Sequence, residues 1–234
     1  MPALAQAFEA STASPTAKPL FAVEQIRRMR GGAQSHLMRC SDGNYYVVKF
    51  PNNPQSPVVL ANELLGGRLA KLLGLPVALG TVVYVHEELI HLTSELVMEM
   101  PRGRAPCQPG LCFASLYQGN VRCHSNENRL SDTSLEYLAN VRDFFGMLVF
   151  DKWTCNSDGR QVIFLPIPKK ACYRGVMIDQ GFCFGDHAWK FPDSPRRGLY
   201  GRLVVYLDVR SIKAFEPWIE RVEQISLQDL RAAA

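Results

Sequence analysis

Lys49 stands in a strand-like run, Tyr45-Tyr46-Val47-Val48-Lys49-Phe50, otherwise made of aromatic and β-branched residues. Strand alternation puts it on the face of Tyr45 and Val47. An ammonium among apolar strand positions is costly to bury unless it meets an anion; the plain alternative is an edge-strand lysine facing water. Glu63 offers the anion. Within 58–74 it falls at helical spacing with Leu60, Gly67 and Ala70, and such small neighbours suit a face pressed against another element. A strand lysine and a glutamate on the next helix can together hold a polyphosphate. Upstream lies Gly31-Gly32-Ala33-Gln34-Ser35, whose small residues let backbone N–H groups approach phosphate oxygens. Gly-Gly is also ordinary in a hairpin, and neither a Walker A nor a G-x-G-x-x-G pattern is present.

The acidic half of such a site would come from two later stretches. Phe150-Asp151-Lys152-Trp153-Thr154-Cys155-Asn156-Ser157-Asp158-Gly159-Arg160-Gln161 follows an apolar helical run. Val176-Met177-Ile178-Asp179-Gln180-Gly181 ends an apolar strand with a carboxylate and a glycine. Phosphoryl transfer needs one carboxylate to position the attacking hydroxyl and another to hold a divalent cation. Each stretch alone is a common polar turn or strand end; their order after the Lys49/Glu63 half is not common.

The elements that must position these residues are legible in outline. Residues 21–28, 36–40 and 45–50 read as strands, the last two joined by a tight turn at Ser41-Asp42-Gly43-Asn44. The leucine spacing predicts a helix over 58–74 that stops at Gly74. A strand pair is expected at 77–85 and 94–100 across a polar turn at His86-Glu87-Glu88. Residues 101–131, rich in Gly, Pro, Asn and Cys, give no clear element. A helix of about twenty residues, capped by Asp132 or Thr133 and running to Val149, is expected next. Short strands follow near Val162–Leu165 and Gly175–Ile178, then a last amphipathic helix from about Val209 to Ile225. Strand-rich sequence thus gives way to helix-rich sequence near Met100-Pro101.

Composition narrows the class without choosing the chemistry. With 234 residues, 47% of them hydrophobic, the chain can bury a large core. The first hundred residues carry equal numbers of acidic and basic side chains, so the surplus of +4 lies after residue 100, too diffuse for a nucleic-acid footprint. No run of 18 apolar residues exists to span a membrane. The first twenty residues lack the pattern of a signal peptide and read as a loose tail. Seven cysteines, an odd count without regular spacing, suit reduced thiols and hence a cytoplasmic protein. Cys107, Cys112, Cys123 and His124 nominally supply four metal ligands, but the tight C-x2-C knuckle is missing and buried free thiols are the expectation.

On these residues the sequence resembles the HipA-like kinases. Gly32-Ala33-Gln34 is similar to the family's G-A-Q phosphate loop, and Val47-Val48-Lys49-Phe50-Pro51 to its lysine strand. Asn62-Glu63 with Leu69-Ala70-Lys71-Leu72-Leu73-Gly74-Leu75-Pro76-Val77 resembles its N-E … L-A-x-x-L-G-L-x-V helix. Trp153-x-x-Asn156-x-Asp158 looks like its W-x-x-N-x-D catalytic loop, and Ile178-Asp179-x-Gly181 like its metal-binding strand end. The resemblance implies an α+β, two-lobed protein-kinase-like fold. Its β-rich N-lobe with one helix would span 21–100 and its mainly helical C-lobe 101–234. The end at Ala232-Ala233-Ala234 is compatible with truncation, and the extra N-terminal domain of the family's full-length toxin is not expected within these residues.

The implied roles follow residue by residue. Gly32, Ala33 and Gln34 would cradle phosphate, Lys49 and Glu63 would form the phosphate-binding pair, and the backbone of Met98, Glu99 and Met100 would bond adenine at the hinge. Asp158 would be the catalytic aspartate and Asp179 the Mg2+ ligand. The sequence departs from the family's D-x-H-x-x-N loop: Arg160 replaces the histidine and Ile163 the second metal-binding asparagine, with Gln161 or Asn156 as substitutes. Asp151-x4-Asn156 also reproduces the protein-kinase D-x4-N spacing, which leaves Asp151 as the rival catalytic residue. Asp158 is preferred for its tryptophan-led context, which would leave Asp151 as a structural group bonded to backbone or to a base such as Arg160. The implied reaction uses ATP and Mg2+ to phosphorylate a serine or threonine of a protein. The alternatives are a pseudokinase that binds a nucleotide or partner, and a kinase for a small molecule or lipid.

Overall fold

The computed structural model describes residues 20–119, 121, 130–135, 137–185, 188–191 and 194–234. The expected tail before residue 20 and the Cys123-His124 pair lie outside these residues. Five described strands form one antiparallel sheet: β1 (Ala22–Arg28), β2 (His36–Cys40), β3 (Tyr45–Lys49), β7 (Gly110–Leu116) and β4 (Gly80–Val85), in the spatial order β1-β2-β3-β7-β4. The turn between β2 and β3 is closed as its composition demands. Gly43 takes a φ of 82° that side chains avoid, and the Asp42 carboxylate accepts the Asn44 N–H at 3.0 Å.

Helix α1 (Val58–Leu72) follows β3. It ends at Gly74, whose φ of 74° lets the Gly74 N–H reach the Lys71 carbonyl at 2.9 Å and the Leu75 N–H reach that of Ala70 at 3.0 Å.

Residues 77–116 depart from the expected pairing. The polar turn after β4 is a short helix, α2 (Glu87–Leu92), and β5 (Val97–Met100) pairs with β6 (Gly103–Pro106) rather than with β4. The place beside β4 belongs to β7, which also pairs with β3 and puts Phe113 opposite Lys49. Residues 110–116, Gly-Leu-Cys-Phe-Ala-Ser-Leu, lack alternation and hold one strong strand former, Phe113. Both neighbours hydrogen-bond to β7, and Cys112, Phe113 and Ala114 are buried in succession. Tertiary pairing, not local preference, makes this strand.

Beyond the sheet, the single helix expected from 132 to 149 is broken. After α3 (Asp132–Leu135) the chain turns, and α4 (Asp143–Trp153) starts afresh. Asn140 stands at the break, its side chain bonding both the N–H and the carbonyl of Gly175, each at 2.9 Å. Those bonds dock the turn on the ribbon of β8 (Gln161–Pro166) and β9 (Tyr173–Ile178) and compete with continued helix. The last helix begins only at Glu216, since Pro217 admits a helix at its first turn but not within it. It is α5 (Glu216–Glu223), and α6 (Leu227–Ala233) follows behind a capping box of Ser226 and Asp229.

Two hydrophobic cores result. One gathers Met38, Val48, Phe50, Val83, Cys112 and Ala114 from the sheet with Leu96 and Met98. The other gathers Phe144, Met147, Phe150, Phe164 and Met177 from the helical half and the ribbon. The lobe boundary expected at Met100-Pro101 is therefore corrected, because Cys107, Cys112 and Ala114 belong to the sheet core. Leu69, Ala70 and Leu73, near the end of α1, belong to the other core. That helix joins the two halves.

Candidate active site

A cleft of about 360 Å3 lies between the sheet and the β8–β9 ribbon. Lys49 and Val47 enter it from the same face of β3, as alternation requires. The Lys49 ammonium is buried between two carboxylates: it donates to Glu63 Oε1 and, at 2.9 Å, to Asp179 Oδ1. Burial alone would lower the lysine pKa, but the two carboxylates outweigh it and hold the ammonium protonated well above its ordinary range. Burial pushes the Asp179 carboxyl up, and Lys49, with Glu63 and Arg160, together more than offset it, so the carboxyl ends lower than usual. Glu63 is the more deeply buried partner. Desolvation and the neighbouring Asp179 charge drive its pKa up to about 7 against the pull of Lys49.

The α1 helix and the chain after β9 are fastened together around this group. Glu63 Oε2 accepts the Gln180 N–H at 2.9 Å, and the Asn62 amide donates to the Gly181 and Cys183 carbonyls at 2.9 and 3.0 Å. Glycines let the backbones meet. A Cβ on Gly66 would lie 2.8 Å from Gln180 Cβ, and one on Gly181 only 2.5 Å from Val59. Gly66 makes this contact, whereas Gly67, expected to do so, faces open space. Asp179 itself sits at a φ of 61°, a conformation that L-residues with side chains adopt at a cost.

The two candidate aspartates have opposite surroundings. Asp151 is fully buried, with both oxygens taken by the Arg160 guanidinium (one contact at 2.9 Å) and a third bond from the Asn156 amide at 2.9 Å. Arg160 also donates to the Ile178 carbonyl at 3.1 Å. Burial disfavours that cation, but Asp151 reverses the effect and raises its pKa. Asp158 is exposed. Its carboxylate accepts its neighbour Gly159 N–H at 2.7 Å, and the Gln161 amide reaches both Asp179 Oδ2, at 3.0 Å, and Asp158 Oδ2, at 3.5 Å. Gln161 thus spans the gap between the exposed Asp158 carboxylate and the half-buried one of Asp179. Asn156, expected as a substitute metal ligand, is buried: its side-chain NH2 donates to Asp151 and its side-chain oxygen accepts the Asp158 N–H. Ile163 lines the cleft with an aliphatic side chain.

The remaining expectations divide. Arg30 and Ser35, on either side of Gly32-Ala33-Gln34, line the cleft, whereas those three do not. The Gln34 amide turns away to β5, accepting the Glu99 N–H at 2.7 Å and donating to the Glu99 carbonyl at 2.8 Å. Both Glu99 groups expected to bond adenine are thereby occupied, and Met98, Glu99 and Met100 are not cleft residues. In their place Leu116, Tyr117, Gln118 and Gly119, at the outgoing end of β7, line the cleft. Arg27 braces them, donating to the Tyr117 hydroxyl at 3.1 Å and the Val121 carbonyl at 2.9 Å. An unrecognised strand hid this edge. The buried Cys107 and Cys112 lie in the sheet core with thiol pKa values pushed up by burial, that of Cys107 to about 12. No group of three potential metal ligands occurs among the described residues.

The model of the HipA-like kinase family matches residues 22–163, more than half of the chain. The chain belongs to the HipA-like kinase family. The match takes in Lys49, Glu63 and Asp158; Asp179 lies beyond it and is joined to it through Lys49. A comparison with curated proteins returns no match. Among solved structures the chain is similar to the Golgi casein kinase, at 11% identity and a TM-score of 0.54, over 93% of this chain and 65% of that one. A Golgi casein kinase structure with Mn/ADP bound gives 12% identity and a TM-score of 0.45 over 93% and 70%. The Helicobacter pylori proinflammatory kinase CtkA gives 15% identity and a TM-score of 0.47 over 75% and 59%. The chain thus spans 59% of CtkA and 65% of the first of the two Golgi kinase structures. At these identities the likeness concerns the fold, which is that of the protein kinases.

Proposed function

We propose that this protein transfers the γ-phosphate of ATP to a serine or threonine hydroxyl on a protein. The observation that carries the reading is the buried Lys49 ammonium shared between Glu63 and Asp179 on the wall of the cleft. Lys49 would hold the α- and β-phosphates, with Glu63 fixing its position and its charge. Adenine would lie against the edge from Leu116 to Gly119. Asp158 would accept the hydrogen bond of the acceptor hydroxyl and take its proton as the oxygen attacks.

The donor set suits one divalent cation. Asp179 keeps 27% of its side chain open and has Gln161 beside its outer oxygen. Gln161 now donates its NH2 to that oxygen; with the amide turned over, a carboxylate and an amide oxygen, completed by phosphate oxygens and water, are the hard oxygen ligands Mg2+ takes. When bound, the ion would neutralise charge on the transferring phosphoryl group. Ile163 adds no oxygen, so no second such site is built there.

Asp179→Asn and Lys49→Met are expected to lower transfer at least about a hundredfold with melting temperatures near wild type, read by γ-labelled ATP and thermal unfolding. In Lys49→Met the Glu63 carboxyl protonates once its cation is gone. Glu63→Gln should cost less, because it acts through Lys49. Wild-type turnover in either of the first two variants would show that the site has been misassigned. Ile163 favours one rival reading, a nucleotide-binding pseudokinase, for which Lys49-dependent ATP binding would come with no release or transfer of the label.

A further inference from the structure

Asp158 is not among the residues that line the cleft around Lys49; it lines a second cavity, of about 240 Å3, and is joined to Asp179 through the Gln161 amide. Asn156 to Gly159 form one wall, and Ser194 with Arg196 to Leu199 form the other. The second wall is anchored to the catalytic loop. Lys152 donates from α4 to the Ser194 carbonyl, and Arg197 Nη1 donates to the Cys155 carbonyl at 2.9 Å. Gly198, at a φ of 75°, lies so close against Asp151 that no side chain fits there. The turn is closed by the Arg197 N–H on Ser194 O, at 3.1 Å, and the Leu199 N–H on Arg196 O, at 3.2 Å. The backbone that carries Arg196 and Arg197 is thereby fixed along the same cavity as an exposed carboxylate. Arg197 has donors left after its single bond, and Arg196 is exposed with no ion pair among the described residues.

Asp158 and both arginines line this one cavity, so the groups on either side of a hydroxyl set against Asp158 there would meet Arg196 and Arg197. A planar guanidinium pairs best with a carboxylate, often through two parallel hydrogen bonds. Lysine or arginine beside the hydroxyl would meet two like charges. Resting on the kinase reading above, we propose that Arg196 and Arg197 select the acceptor: this face takes a serine or threonine flanked by glutamate or aspartate.

The test uses the full chain and short peptides with a central serine flanked by Glu, by its neutral isostere Gln, or by Lys. Phosphate transfer from labelled ATP and binding of fluorescein-labelled peptides, read by anisotropy, are measured side by side. Wild type should favour the Glu peptide over the Gln peptide by roughly tenfold, the equivalent of one charge-assisted contact, with the difference in KM rather than kcat. Arg196→Glu should abolish or invert the Glu-to-Lys ratio within that variant. Transfer without a Glu preference, or an Arg196→Glu variant that keeps the preference, overturns the proposal. Absence of both binding and transfer overturns it as well. Glu-selective binding that depends on Arg196, without transfer to any peptide, supports this acceptor face while overturning the kinase reading.

Discussion

Asp151 and Arg160 form an ion pair from which solvent is excluded on both sides. Removing one member of such a pair strands the other charge in a medium that cannot solvate it. Asp151→Ala is expected to destabilise the protein by about 3–5 kcal/mol, because Arg160 retains only the Ile178 carbonyl. The Asp158 carboxylate bonds only exposed groups, so Asp158→Ala, which keeps the backbone bond to Asn156, should leave the melting temperature within a degree or two and remove phosphoryl transfer while ATP still binds. The pair is checked by measuring unfolding and transfer on both variants. Loss of transfer at unchanged stability in Asp151→Ala, with an active Asp158→Ala, would reverse the two roles.

The contact between α1 and the segment after β9 decides whether Lys49, Glu63 and Asp179 form one group. Glu63, Asn62 and Gly66 all face that segment, and Gly181 leaves no room for even a methyl group beside Val59. Gly181→Ala should therefore push α1 outward, loosen the Glu63–Gln180 bond and raise KM for ATP several-fold. Val59→Ala, which opens the colliding position, should restore part of the loss in the double variant. A double variant no better than Gly181→Ala alone would place the defect in the backbone at Gly181 and not in the helix contact. The same element explains why α1 runs so long. Its first half serves the site, and Leu69, Ala70 and Leu73 pack into the helical core.

Across the whole molecule the cleft lies between two separately packed cores, so its walls stay in place only while both remain folded. His36 gives the sheet core a pH dependence. It is fully buried, packs edge-on against Phe50 at 5.8 Å, and has its pKa lowered from 6.5 to about 4 by burial and by Arg28. The unfolded chain thus takes up a proton at His36 before the folded one does. Its contribution to stability is fully present above pH 6.5 and is lost as pH falls toward 4, by up to about 3 kcal/mol. Glu63 slopes the opposite way: its raised pKa favours the folded state as pH falls from about 7 toward its ordinary value of 4.5. The His36 effect is therefore read as a difference. The stability gap between wild type and His36→Leu should shrink as pH drops from 6.5 to 4, and a gap constant with pH would remove His36 as its source.

The sequence by itself determined what short-range chemistry determines. Strands β1 to β3, the Asp42-Gly43 turn, the helix stop at Gly74 and the strand leading to Asp179 each follow from periodicity or a turn residue. Lys49 and Glu63 could be paired in advance because one strand and one adjoining helix carry them. Tertiary structure decided the rest. β7 has a single strong strand former, Phe113, and no alternation, so its pairing with β3 and β4 makes it a strand, and with it the cleft edge from Leu116 to Gly119. Gln34 reads as part of a phosphate loop, yet its amide finds the Glu99 backbone across a gap of 65 residues. Asp151, in the last turn of α4, and Asp158, just beyond it, stand seven positions apart. Spacing alone permits either to be catalytic. The fold divides them by exposure, since a charge can leave solvent only where packing delivers a partner, and Arg160 is delivered to Asp151.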